Sequence, residues 1–180
     1  GYILIGVVAA GYANSSETTS MGFYAAMYYT LVYFFMNLGI FIVAMAVESS
    51  GGSDHLDSYN GLLRRNAFLT ILTTILLLAL IGLPPTTGFW AKFLVFYSIS
   101  FFYHLSPWNI ALAVFAVITT VLSAYYYMAL AYRMWMLPPP IDQKPKMKPQ
   151  LFMRLAIAIP ALIIFALGLF YVNATFEYVK

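Results

Sequence analysis

Lys92 is the residue of this chain whose type and place could do chemistry. It lies in Leu80-Ile-Gly-Leu-Pro-Pro-Thr-Thr-Gly-Phe-Trp-Ala-Lys-Phe-Leu-Val-Phe96, and from Ala67 to His104 it is the only formally charged side chain. An unpaired ammonium in hydrocarbon costs from ~2.5 to more than ~10 kcal/mol, depending on the reference state. A sequence that tolerates this cost uses the charge, and the chemistry open to it is movement of protons or ions. Burial disfavours the ammonium and a nearby carboxylate favours it, so such a lysine takes up and releases a proton as its surroundings rewet or its partner moves. No carboxylate lies inside an apolar run: Glu48 falls at the end of one, and Glu17, Asp54, Asp57, Asp142 and Glu177 fall in or near connections. The expected partner is therefore water, another subunit, or residues preceding this sequence.

The stretch just before Lys92 carries the strongest backbone signal. Pro84 and Pro85 each remove a backbone donor and clash with the preceding turn, while Gly82 and Gly88 add freedom on either side. Carbonyls freed inside a membrane must find new partners, and the hydroxyls of Thr86 and Thr87 are placed to supply them. Discontinuous helices of this kind build midplane sites in many transporters, although a kinked, well-packed helix reads the same way. Lys92 tips the balance toward function. It follows Gly88 by one helical turn, so a helix that resumes there aims the ammonium back at the break. Snorkelling toward Ser98 is the competing reading. Thr86, Thr87 and Tyr126 form a candidate polar path. Further hydroxyls and amides lie on the same or neighbouring spans: Thr70, Thr73, Thr74, Thr119, Thr120, Ser123, Tyr125, Tyr127, Tyr28, Tyr29, Tyr33 and Asn37. Any one of them more often bonds its own helix or packs a neighbour.

Other patterns are weaker. Asp54-His-Leu-Asp57 offers oxygen and imidazole ligands without a second cluster, so no metal site is expected. Asn14-Ser-Ser and Asn173-Ala-Thr match a glycosylation pattern short enough to arise by chance. With zero cysteines there is no thiolate chemistry, and no phosphate loop, dinucleotide glycine motif or nucleophile elbow is present. No cofactor is expected on this chain.

The elements that must position Lys92 are membrane helices. Hydrophobic residues make up 63% of the chain and charged ones 8%, and mean hydropathy is +0.84. Soluble domains carry ~25% charged residues, so this chain lacks the polar surface to cover a water-soluble globule. It is expected to be an all-α integral membrane chain with about four full spans and one partial one. Residues 1–10, opening at Gly1 inside an apolar run, read as the end of a severed helix. Spans follow at 21–47, 67–98, 108–137 and 154–172. The second is too long for one straight crossing, and a discontinuity at Gly82–Gly88 absorbs the excess. Arg64 and Arg65 mark one connection; Lys144, Lys146 and Lys148, flanked by Arg133 and Arg154, mark another. The remaining connections, which hold Asn14 and His104, have no lysine or arginine, so the basic pair is placed inside and Asn14, His104 and Lys180 outside. The proline-rich 138–149 segment reads as an extended connector whose lysines fix topology. The partner implied by composition is the lipid bilayer, and the net charge of +3 makes no case for nucleic acid.

Pro84-Pro-Thr-Thr-Gly-Phe-Trp-Ala-Lys-Phe93 resembles the antiporter-like membrane subunits of respiratory complex I, the proton-pumping NADH:quinone oxidoreductase. Gly1-Tyr2 is similar to the end of the helix before it in that family. Ser58-Tyr-Asn-Gly-Leu62 and Ser123-Ala-Tyr-Tyr-Tyr127 are similar to segments on either side of the break. The nearest resemblance is to the N-type subunit: the M-type carries glutamate where this chain has Lys92, and the L-type an aspartate where it has Phe93. Multisubunit sodium/proton antiporters share the lysine motif and are the runner-up, and a non-pumping membrane scaffold is the rival of another class. The resemblance implies the C-terminal part of a fourteen-helix subunit made of two inverted repeats. Lys92 would be the terminal lysine of the second proton pathway, and other membrane subunits, including neighbouring antiporter-like ones, would be its partners. Flavin, iron–sulfur clusters and quinone would belong to other subunits. The membrane would be the bacterial cytoplasmic membrane or that of an energy-transducing organelle.

Overall fold

The computed structural model describes the backbone of residues 1–11, 16–53, 55–100, 107–140 and 151–178, with side chains over 1–11, 21–53, 55–98, 110–140 and 151–170. Asn14, Asp54, His104, Asp142, Lys144, Lys146, Lys148 and Lys180 lie outside the described residues, as do the side chains of Glu17, Asn173 and Glu177. Every regular element among the described residues is helical: α1 (Tyr2–Gly11), α2 (Ser16–Ser49), a 3-10 turn (Leu56–Tyr59), α3 (Leu62–Arg65), α4 (Ala67–Ile81), α5 (Thr87–Ser100), α6 (Pro107–Met136) and α7 (Leu151–Tyr178).

Three helices are long and apolar enough to cross a membrane by themselves: Met21–Ser49, Ile110–Met136 and Leu151–Phe170. Where four full spans are expected, α4 and α5 are each shorter than the ~20 residues a lone crossing needs. Lipid leaves no water to pair with backbone groups, so helices that pair all of theirs internally are what an apolar chain of this kind can insert.

α2 is the hub, packing against α1, α4, α5 and α7. Its buried side chains Met36 and Val43 meet Leu69, Leu76 and Leu77 of α4, Val95 of α5 and Ile157 and Ile164 of α7 in one continuous core. α6 lies at the edge, resting mainly on α4. Its outer face presents Phe115, Val121, Tyr125 and Tyr132. Apolar rings on the outside of an integral membrane protein face lipid or another helix, so their exposure needs no compensation.

α4 starts at an extended Asn66, whose side chain accepts from the Leu69 amide at 3.0 Å. This caps one of the amides that a helix start leaves orphaned. The preceding segment folds onto the end of α6. The Gly61 amide donates to the Arg133 carbonyl at 3.0 Å, and the Arg133 guanidinium pairs with Asp57 at 2.5 Å. Trp135 Nε1 reaches Thr74 Oγ1 at 2.9 Å. Arg65 is buried and donates to the Ser58 carbonyl at 3.0 Å; burial lowers its pKa from the ordinary guanidinium value. Arg64, Arg65 and Arg133 therefore gather at one end of the bundle.

α7 passes the interval between α4 and α5 closely. A Cβ added at Gly168 would stand 2.0 Å from the Pro85 carbonyl oxygen, and the Thr87 hydroxyl donates to the Ile164 carbonyl one turn earlier. The obstruction is backbone, which cannot rotate away, so overpacking of ~1–3 kcal/mol is expected for Gly168→Ala. Asp57 is 77% exposed, and its pair with Arg133 contributes at most ~1 kcal/mol. The thermal inactivation midpoint of the full-length protein in detergent should thus fall by several degrees with Gly168→Ala and barely move with Asp57→Ala; the reverse order would contradict this packing.

Candidate functional site

The C-terminal end of α4 leaves four carbonyls without amides from its own helix, and each has an identifiable neighbour. Gly82 adopts φ +86°, the left-handed region that favours glycine. That turn brings the Gly82 and Leu83 amides onto the Leu78 carbonyl at 2.9 and 3.1 Å, a Schellman-type ending. Ala79 O faces Gly88 at the start of α5, so closely that a Cβ there would come within 2.0 Å. Leu80 O and Ile81 O accept from Lys92 Nζ at 2.9 and 2.7 Å.

Lys92 is 8% exposed. α5 begins at Thr87, and its first turns carry the lysine back over the end of α4, where its ammonium meets the Leu80 and Ile81 carbonyls. The ammonium also lies 5.3 Å from the centroid of the Tyr2 ring. Within the chain the ammonium is held by two backbone carbonyls of the preceding helix, at the negative end of its dipole. Hydrogen bonds to a charged group contribute ~1.5–3 kcal/mol each and a desolvated cation–π contact ~2 kcal/mol. Their sum is of the order of the burial cost.

A cavity of about 230 Å³ opens beside the ammonium, lined by Lys92, Tyr2 of α1, Tyr29 and Tyr33 of α2, and Ser123 and Tyr127 of α6. Tyr29 stacks on Tyr2 at 5.4 Å and on Tyr33 at 6.0 Å between ring centroids. Among the described residues no carboxylate lines it. A more apolar cavity of about 440 Å³ between α1 and α6 also reaches Tyr2 and Ser123.

The other sequence candidates are distributed differently. Pro84 and Pro85 occupy the non-helical interval, joined by a cis peptide bond. Thr86 and Thr87 are buried, but their hydroxyls are committed to the carbonyls of Leu83 and Ile164 and do not line the cavity. Tyr126 is 58% exposed and outside it; the neighbouring Tyr127 takes its place. Thr70, Thr73 and Thr74 donate to Asn66, Leu69 and Thr70 carbonyls on their own helix. Tyr2 was not a candidate on polar grounds, and no local signal in the sequence brings it to Lys92. Tyr29 and Tyr33, one turn apart, could have been paired by spacing alone. Among the described residues no cluster of histidine and carboxylates forms a metal site.

Residues 1–123 match the family model described as NADH:quinone oxidoreductase/Mrp antiporter, transmembrane. The chain is 41% identical over 140 residues to NADH-quinone oxidoreductase subunit N 1 of Roseiflexus castenholzii, covering 78% of this chain and 25% of that protein. It is 36% identical over 171 residues to subunit N of Moorella thermoacetica, covering 94% of this chain and 33% of that one. The chain thus spans a third or less of the length of these curated relatives. In fold it is similar to a chain of respiratory complex I from Thermus thermophilus, solved with bound aureothin, with a TM-score of 0.59 and 24% identity over 93% of this chain and 41% of that one.

A side chain at Gly82 would meet two obstacles. The left-handed backbone costs a non-glycine residue ~1–2 kcal/mol, and a Cβ would stand 2.9 Å from Lys92 Cδ and 3.3 Å from Nζ. Gly82→Ala is expected to destabilise the full-length protein by ~1–2 kcal/mol, and Gly82→Val by more, in detergent thermal scans. A neutral Gly82→Ala would contradict the geometry of this helix end.

Proposed function

Because the chain belongs to the NADH:quinone oxidoreductase/Mrp antiporter transmembrane family, we propose that it forms part of a proton-translocating membrane subunit of NADH:quinone oxidoreductase, with Lys92 as its proton relay. The observation that carries this reading is the buried Lys92 ammonium, held by the Leu80 and Ile81 carbonyls at the rim of a tyrosine-lined cavity. Those carbonyls accept hydrogen bonds but cannot take the proton. A proton leaving Nζ must pass to a mobile acceptor, and water in the adjoining cavity is the one within reach. Once neutral, the amine keeps N–H groups for the same carbonyls but loses the charge assistance that roughly doubles such bonds. Release of the proton therefore loosens the lysine from α4, and uptake draws it back.

In this reading α4 and α5 cross the membrane together as one discontinuous span, interrupted at Gly82–Gly88. Thr86 and Thr87 hold the interruption in place rather than carry protons. The chain performs no redox chemistry itself. Flavin, iron–sulfur clusters and quinone sit in other subunits, and redox energy released there drives the relay. Its partners are the neighbouring membrane subunits, antiporter-like ones among them, in a bacterial cytoplasmic or organellar energy-transducing membrane. Both relatives described above are named as quinone oxidoreductase subunits, which supports this reading ahead of a sodium/proton antiporter.

Lys92→Ala in the full complex, reconstituted into proteoliposomes, is expected to lower proton pumping and coupled turnover by ~100-fold or more, the low end of what a positioned acid–base group contributes, while the complex still assembles. Lys92→Arg should stall as well, because a guanidinium does not release its proton. A scaffold would tolerate arginine. Unchanged pumping in either variant overturns the relay.

A further inference from the structure

We infer that Tyr2 is the positioning residue for the Lys92 ammonium, its ring face holding the charged form of the lysine at the end of α4. The inference rests on the relay reading of Lys92 and names the group that sets how firmly the relay keeps its proton.

The geometry separates Tyr2 from the other tyrosines around the cavity. Its ring centroid lies 5.3 Å from Nζ, within the ~6 Å over which an aromatic face attracts a cation. The ring is fixed from three sides. Its hydroxyl donates to the Ala116 carbonyl at 2.8 Å and contacts Thr120 Oγ1, both on α6. One face stacks on Tyr29 of α2, and Phe96 of α5 meets it edge-on at 6.0 Å. With its proton committed to a helix carbonyl, the Tyr2 hydroxyl is a tether and not a relay. What the residue offers Lys92 is the negative face of a ring that cannot rotate away. The two carbonyls and the ring together surround the ammonium with partners that favour charge and accept no proton.

The titratable groups around the lysine leave few alternatives among the described residues. α2 contributes Tyr29 and Tyr33 and α6 contributes Tyr127. α5 adds Tyr97, α4 has none, and Arg154 of α7 lies toward the opposite end of that helix from the Ile164–Gly168 turn that meets the break. None of these is a carboxylate or a histidine, so the ring and the carbonyls carry the stabilisation.

The test is the pH profile of proton pumping by the intact complex in proteoliposomes. Tyr2→Leu removes the aromatic face and keeps apolar volume. Without the face Lys92 releases its proton more readily, so the profile should move toward acid by roughly 0.4 to 1.5 pH units, the range that cation–π attraction supplies. Tyr2→Phe keeps the face and loses only the tether, so its profile should stay nearer to that of the unmodified complex. If Tyr2→Leu does not assemble, pentafluorophenylalanine at position 2 keeps the ring volume while inverting the charge of its face, and must shift the profile the same way. A profile unmoved by loss or inversion of the face, in a complex where Lys92→Ala abolishes pumping, would leave Tyr2 a packing residue and overturn the inference alone. Pumping that survives Lys92→Ala would instead remove the relay reading and this inference with it.

Discussion

A helix that ends inside a membrane has to find partners for its last carbonyls, because lipid offers none and each unmet group costs several kcal/mol. With α4 and α5 read as one interrupted span, the end of α4 meets this requirement through three residues that follow it closely. Gly82 turns left-handed so that two amides can fold onto Leu78 O. Gly88 lets the start of α5 press against Ala79 O. Lys92 covers Leu80 O and Ile81 O. The helix end and the buried charge thus solve each other's problem: carbonyls without amides meet an ammonium without a carboxylate. Removing either would expose the other.

The kind of partner matters for what the lysine can do. A buried carboxylate would pair with the ammonium strongly, and depriving either charge of such a partner costs ~3–5 kcal/mol. Carbonyls are fixed dipoles and hold the charged form less tightly. They also cannot be protonated, so they take no share of the proton they help to retain. In the proposed relay, a lysine held this way is stable enough to be buried and loose enough to exchange its proton with the adjoining cavity. The same consideration favours the tyrosine side of Lys92 over the threonine side. Thr70, Thr73 and Thr74 spend their hydroxyl protons on carbonyls of their own helix, whereas Tyr29, Tyr33 and Tyr127 border open volume.

Much of the frame was legible in the residues. An excess of apolar side chains over charged ones dictates helices in a membrane, and Lys92 is conspicuous because nothing nearby shares its charge. Local chemistry also names Gly82, Pro84 and Pro85 as a place where no helix runs smoothly. The partners of Lys92 were not legible, because they arise from geometry rather than composition. Leu80 and Ile81 act through backbone oxygens that every residue has, and only the left-handed turn at Gly82 aims them at the lysine. Tyr2 sits on a different helix, and its reach depends on how α1, α2, α5 and α6 meet. Tyr126 and Tyr127 show the limit most plainly: adjacent and chemically identical, they differ only in which way α6 turns them.

The interval between α4 and α5 is held from outside as well as from within. α7 grips it through Ile164 O and the bare backbone at Gly168, and α1 reaches across to α6 through Tyr2. Lys92 stands between these two anchorages. In the proposed relay, a change in the charge of Lys92 alters its grip on α4 while α7 still holds the interval through Ile164 O and Gly168, and the cavity bordered by α1, α2 and α6 is the open volume next to the ammonium.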